Sequence, residues 1–166
     1  LNVGGNSKNK KASMIKYFTL FLAVIATNCL AQTSSSIVKF VNPTQAGYSQ
    51  SVEIDLGTVR MITISGQVPL DKQGKIVGKG DLAKQLEQTF QNIKTIVEEA
   101  GGTMGDVVKL TYFLKDISQI QVVREVRNRF INVQNPPAST AVEVSGLFRE
   151  DILVEIEATA IVPRKK

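Results

Sequence analysis

The run Asn135-Pro136-Pro137-Ala138-Ser139-Thr140-Ala141-Val142-Glu143-Val144 decides the fold class, together with Asp151-Ile152-Leu153-Val154-Glu155-Ile156-Glu157-Ala158 after a short connection. Two prolines start the first run extended, since each clamps its own φ and pushes the preceding residue out of the helical region. Thr140, Val142 and Val144 then alternate with Ala141, Glu143 and Ser145, which is strand periodicity. Ser145-Gly146 reads as a turn or bulge. In the second run Ile152, Val154, Ile156 and Ala158 form an apolar side, with Glu155 and Glu157 on the other. A carboxylate in such a strand is either solvated on an open face or held in a pocket.

Upstream of these strands the chain predicts three more strands, a helix, a strand and a second helix. Ile37–Phe40 reads as a short edge strand, and Pro43–Gly47 as a loop that delivers Tyr48 and Gln50. Val52–Leu56 and Met61–Gly66 are strands joined by Gly57-Thr58. Asp81 is a good N-cap for a helix carrying Leu82, Leu86, Phe90, Ile93, Val97 and Ala100 at 3.6-residue spacing, stopped by Gly101-Gly102. Val107–Leu114 is a strand with Val108, Leu110, Tyr112 and Leu114 on one face, Val107 and Phe113 on the other. Ser118, with Gln121 completing a capping box, starts a helix whose apolar face is Val123, Val126, Phe130 and Val133. The order β-β-β-α-β-α-β-β is α+β: one mostly antiparallel sheet with two helices on one face. Phe113, Leu153 and Ile161 make the uncovered side partly apolar, which predicts a homo-oligomer that buries it. The plainer alternative is that these residues sit singly exposed.

Composition bounds the chemistry. The 166 residues suit one ordinary domain. The net charge of +5 is uneven: Lys8, Lys10, Lys11 and Lys16 precede Gln32, and from Gln32 onward 16 basic residues face 15 acidic. That balance leaves no footprint for nucleic acid, which needs a basic patch. There is no His, and the one Cys is Cys29. A Ser-His-Asp triad, a Cys nucleophile in the body and a Cys/His zinc site are therefore excluded. Carboxylates, hydroxyls, Lys, Arg and backbone amides remain, and no cofactor is expected.

The beginning of the chain reads as a leader. Residues 1–13 are polar and aperiodic, so Met14 reads as the start and the preceding residues as non-native or upstream sequence. Lys16 and the apolar run Tyr17–Ala26 form a secretory signal over 14–31, its core shorter than the ~20 residues that span a bilayer. Cleavage after Ala31 predicts export to the periplasm or medium with no stable membrane association. A lipoprotein anchored at Cys29 is the alternative, against which Thr27-Asn28 is a poor preceding pair. Residues 32–36 read as a linker, 37–163 as a single domain and 164–166 as a basic tail.

From about Ile37 to Val162 the chain resembles the YjgF/RidA family, small proteins that hydrolyse reactive enamines and imines. The resemblance rests on Gly47-Tyr48-Ser49-Gln50, Ile64-Ser65-Gly66-Gln67-Val68-Pro69, Gly105-Asp106-Val107-Val108-Lys109, Pro137-Ala138 and Val154-Glu155-Ile156-Glu157-Ala158, in order and at family spacing. It implies a chorismate-mutase-like fold and a homotrimer with a small-molecule cleft between subunits. It also implies that Glu155 is the catalytic carboxylate that orients water, and that Tyr48, Ser65, Gly66, Ser118, Ser139 and Thr140 bind substrate. Family deaminases carry an Arg after the Pro-Ala pair for the substrate carboxylate; here that position is Ser139. Charged hydrogen bonds are worth about 1.5–3 kcal/mol against ~1 for neutral ones, so recognition of a 2-imino acid should weaken. The family Cys two residues on is Ala141, and a family Asn is matched by Ser118. Arg60 and Arg149 are candidates to replace the guanidinium but read better as surface residues. Three functions follow in order: an imine or enamine deaminase with altered carboxylate recognition, a non-catalytic small-ligand binder, and last a ribonuclease.

Overall fold

A computed structural model describes residues 36–164 of the protein. The leader, its cleavage point and Cys29 lie outside the described residues. Six strands form one sheet: β1 (Val38–Pro43), β2 (Ser49–Asp55), β3 (Val59–Gln67), β4 (Val107–Leu114), β5 (Ala138–Glu143) and β6 (Val154–Pro163). Two helices, α1 (Leu82–Glu99) and α2 (Ile120–Arg127), connect β3 to β4 and β4 to β5. The spatial order is β1-β2-β3-β6-β4-β5, with every pair antiparallel except β4–β5. That parallel pair is what a helical crossover produces, because the chain must return to the end it left before it can pair.

β6 decides this arrangement. Val154, Ile156, Ala158, Ala160 and Val162 are buried at every second position and pack with Leu86, Phe90, Ile93 and Val97 of α1. The two periodicities read in the sequence, 2 and 3.6, thus meet in one core. Phe90 stacks on Phe130 at 5.0 Å between ring centroids and meets Tyr112 at 6.3 Å. Asp81 accepts the backbone N–H of Lys84, capping α1 as expected. At the other end the Arg60 guanidinium reaches the Ala100 carbonyl and donates to Glu53 at 2.7 Å, while Lys39 holds the other Glu53 oxygen at 3.1 Å. Arg60 is therefore a helix-capping, partly buried residue rather than the surface residue expected.

Four details depart from the sequence expectation. Val108 is 44% exposed and Val107 is buried, the reverse of the predicted faces, because the β4–β6 register shifts between Val107 and Lys109. One extra residue in a strand moves its neighbour to the other face. The second helix starts differently as well. Asp116, not Ser118, caps the turn before α2, accepting the Ser118 N–H at 2.9 Å and its hydroxyl at 2.6 Å. A carboxylate outcompetes a hydroxyl for those orphan donors, and Ser118 becomes a donor to it. The helix then ends at Arg127, so Ile131 enters the core and Val133 stays 52% exposed. Leu153 packs against the core instead of the open face.

Gln85 ties the loop before β6 to α1. Its side chain is fully buried, donates to the Asp151 carbonyl at 2.8 Å and accepts the Leu153 N–H at 2.8 Å. Gln85→Leu leaves both backbone groups unpaired and is expected to cost roughly 2–4 kcal/mol in urea unfolding. Substitution of the exposed Gln91 by Ala should change stability by about 0.5 kcal/mol or less.

Candidate functional site

The centre of the site is a bulge. Ile64 stands opposite Ala158 and Gln67 opposite Ile156, so Ser65 and Gly66 together face the single residue Glu157. A glycine inside a strand often marks close approach by another group. Here that group is Glu155. A Cβ on Gly66 would stand 1.8 Å from Glu155 Oε1 and 2.7 Å from its Cδ, so the carboxylate occupies the space a side chain would fill. Ser65 is locked beside it, its hydroxyl donating to the Ser49 carbonyl at 2.7 Å.

Glu155 is half-buried, and no donor among the described residues hydrogen-bonds to it. Burial, and then the charge of Glu157 two residues along the same strand face, raise its pKa above the ordinary carboxylate value. A carboxylate with raised proton affinity and no cation beside it can both take and return a proton. The carboxylate lies between the two alternatives of the sequence reading, half-buried against Gly66.

Tyr48 sits in the β1–β2 turn, 57% exposed, and lines a cavity of about 500 Å³ with Gln50, Gly66, Gln67 and Asn92. Glu155 is not among the residues lining that cavity. Gly66 is what the two share, one part of it in the cavity wall and its α-carbon under the carboxylate. Tyr48, Ser65, Gly66 and Glu155 thus form one group on neighbouring segments.

The remaining candidates form a second group at the β5 edge. Thr140 pairs with Thr111 on the same sheet face as Glu155 and accepts from Lys109 Nζ at 2.6 Å. Ser139 pairs with Leu110 and therefore faces the helices. Its hydroxyl donates to the Pro137 carbonyl at 3.2 Å. Ser118 is held on Asp116, whose own carboxyl stays below the usual range because Ser118 and Gln119 donate to it. β5 lies two strands from β6, roughly 10 Å at ~4.8 Å per strand, so one chain does not bring the two groups together.

Arg149 is held bidentately by Asp151 at 3.0 and 2.8 Å. With Arg60 on Glu53, neither arginine is free to serve as a substrate anchor. Among the described residues no cluster of His, Cys, Asp or Glu has the makings of a metal site. One residue was missed in the sequence. Tyr112 reads as an apolar face position, yet its hydroxyl is buried with no hydrogen-bond partner among the described residues. The signal was there, since a tyrosine at a core position must find a partner for its O–H.

Gly66→Ala tests the contact at the centre. The clash falls on the far end of a flexible side chain, so the fold should survive with its unfolding midpoint little changed. The carboxylate must move, and any activity that depends on it should fall at least tenfold.

Comparison with known proteins identifies the family. The family model described as endoribonuclease L-PSP matches residues 40–162. A 2-iminobutanoate/2-iminopropanoate deaminase from Escherichia coli K12 is 40% identical over 111 residues, which is 65% of this chain and 83% of that protein. A RutC family protein from Pyrococcus abyssi is 39% identical over 113 residues, 68% of this chain and 84% of its own. Among solved structures, the YjgF gene product of Escherichia coli superimposes with a TM-score of 0.61 at 37% identity, covering 79% of this chain and all of that one. RidA from an Antarctic Psychrobacter gives 0.62 at 32% identity, covering 77% and 100%. A six-stranded sheet with two helices and these likenesses have one reading: the chain belongs to the endoribonuclease L-PSP family, the YjgF/RidA proteins.

Proposed function

We propose that this protein is an exported trimer that hydrolyses imines or enamines in a cleft between subunits. The observation that carries the reading is the Glu155 carboxylate, half-buried over Gly66 with no cation among the described residues to neutralise it. The deaminase activity named for the relatives at about 40% identity supplies the reaction class. In that reaction Glu155 accepts a proton from the water that attacks the C=N carbon. With the imine entering protonated, this gives a neutral carbinolamine; Glu155 returns the proton to its nitrogen and takes the hydroxyl proton as the C–N bond breaks, so that a carbonyl compound and ammonia leave. Proton transfer by one positioned carboxylate contributes about 10²–10⁴-fold.

The separation of the two residue groups supports a subunit boundary as the place of the cleft. Glu155, Gly66 and Tyr48 from one protomer would meet Ser118, Ser139 and Thr140 from the next. Phe113, Val142, Phe40 and Ile161, left partly or well exposed on the uncovered sheet face, supply apolar surface for that contact. The second reading, a binder without turnover, is favoured by Ser139 at the expected place of the carboxylate anchor. Ribonuclease activity ranks last for a chain without His.

Two outcomes test the proposal. Sedimentation of the protein processed after Ala31 should give three copies, and a monomer would overturn the cleft. Wild type should release carbonyl product and ammonia from 2-iminopropanoate made by an amino-acid oxidase, and Glu155→Gln should be slower by about 10²–10⁴. No product from wild type leaves the binding reading. The same variant carries a stability signature. Folding raises the Glu155 pKa, so the folded state binds more protons and this residue's contribution weakens as pH rises through that pKa. Glu155→Gln removes the penalty. It should unfold at a higher midpoint than wild type at neutral pH, the difference closing as pH falls to about 4.3, where free glutamate protonates.

A further inference from the structure

The Tyr112 hydroxyl is the one buried side-chain polar atom among the described residues that has no partner. Tyr112 is 2% exposed and faces the helices from β4. Ala141, directly opposite on β5, is too small to block the ring or to hydrogen-bond to it. Ser139 stands one pair earlier on the same face. Burial pushes the phenol far above its ordinary value, against the opposing pull of the Arg127 charge and the Ser139 hydroxyl. Ser139 is thus a near neighbour of the orphaned atom, yet its own proton is turned to the Pro137 carbonyl at 3.2 Å, long for an O–H···O bond, which centres near ~2.75 Å. Arg127 is folded onto Asn128 Oδ1 at 3.2 and 2.9 Å.

A hydrogen bond between Tyr112 and Ser139 in place of the one to Pro137 would relieve both defects. Tyr112 then donates to Ser139 Oγ, and the serine proton is left to donate outward from an exposed position. We propose that Tyr112 is a positioning residue that presents Ser139 as a fixed neutral donor, so the group recognised there is an uncharged carbonyl or amide oxygen and not a carboxylate. This rests on the reading that Ser139 belongs to the ligand cleft, and it names the ligand class which that reading leaves open. A hydroxyl braced by a buried phenol offers direction without charge. It offers either acceptor one hydrogen bond, but it gives a carboxylate no counter-charge to offset the loss of its water.

The probe pair is pyruvamide and pyruvate, which differ only in amide against carboxylate, titrated calorimetrically into the wild-type assembly. Pyruvamide should bind more tightly. Tyr112→Phe should weaken pyruvamide by about fivefold, the worth of one neutral hydrogen bond, and leave pyruvate unchanged. A tyrosine that only packs would not move that ratio. Preference for pyruvate, above all one lost in Arg127→Ala, overturns the proposal, and so does binding of neither probe. Urea unfolding of Tyr112→Phe, Ser139→Ala and the double variant gives a measurement independent of ligand. The two losses should be coupled, the double variant losing less than the sum of the singles, and strict additivity overturns the hydrogen bond. Imine hydrolysis that fails while the amide preference and its Tyr112 dependence hold would sink the catalytic reading and leave this one standing.

Discussion

The structure depends on β6 being inserted between β3 and β4. Those two strands are linked by α1 but never touch; each pairs only with the last strand of the chain. Until Val154–Pro163 arrives, the sheet is two fragments and the apolar face of α1 lacks its main partner. Every second residue of β6 is therefore buried, and the strand can move by one residue in neither direction without turning its apolar side outward. Late, long-range pairing of this kind links stability to contacts that are far apart in sequence.

The same rigidity positions the site. β6 carries Glu155 and Glu157 on the face opposite its core residues, and its register against β3 cannot accommodate Ser65 and Gly66 without a bulge. The bulge brings a bare α-carbon under the carboxylate. A half-buried carboxylate with no hydrogen-bond partner among the described residues is a cost to folding, and the neighbouring Glu157 adds to it. Glu53 shows the alternative: more deeply buried, it is paired with Arg60 and Lys39, and Arg60 in turn reaches the end of α1. Two glutamates in one sheet thus differ in environment, because one has cations beside it and the other has none among the described residues.

The β5 edge follows a different logic. Thr140 and Ser139 are adjacent in sequence and point to opposite faces, one to Lys109 and one toward Tyr112. A residue list drawn from a motif groups them; strand geometry separates them. Tyr112 fills the space beside Ser139 with a phenol whose buried hydroxyl has no hydrogen-bond partner among the described residues.

The sequence by itself determined the element order, the α+β class, the apolar faces of β6 and α1, the Asp81 cap and the family. Each depends on neighbours within one element, so periodicity and local hydrogen bonding suffice to read it. Only the tertiary structure decided the bulge that exposes Val108, the exchange of Val133 for Ile131 in the core, the capping by Asp116 and the place of Arg60. It also decided that Glu155 lies on Gly66 and that the Tyr112 hydroxyl is buried without a hydrogen-bond partner among the described residues. These depend on which strand lies alongside which and in what register. Pairing partners far apart in the chain set that register, and no local pattern encodes it.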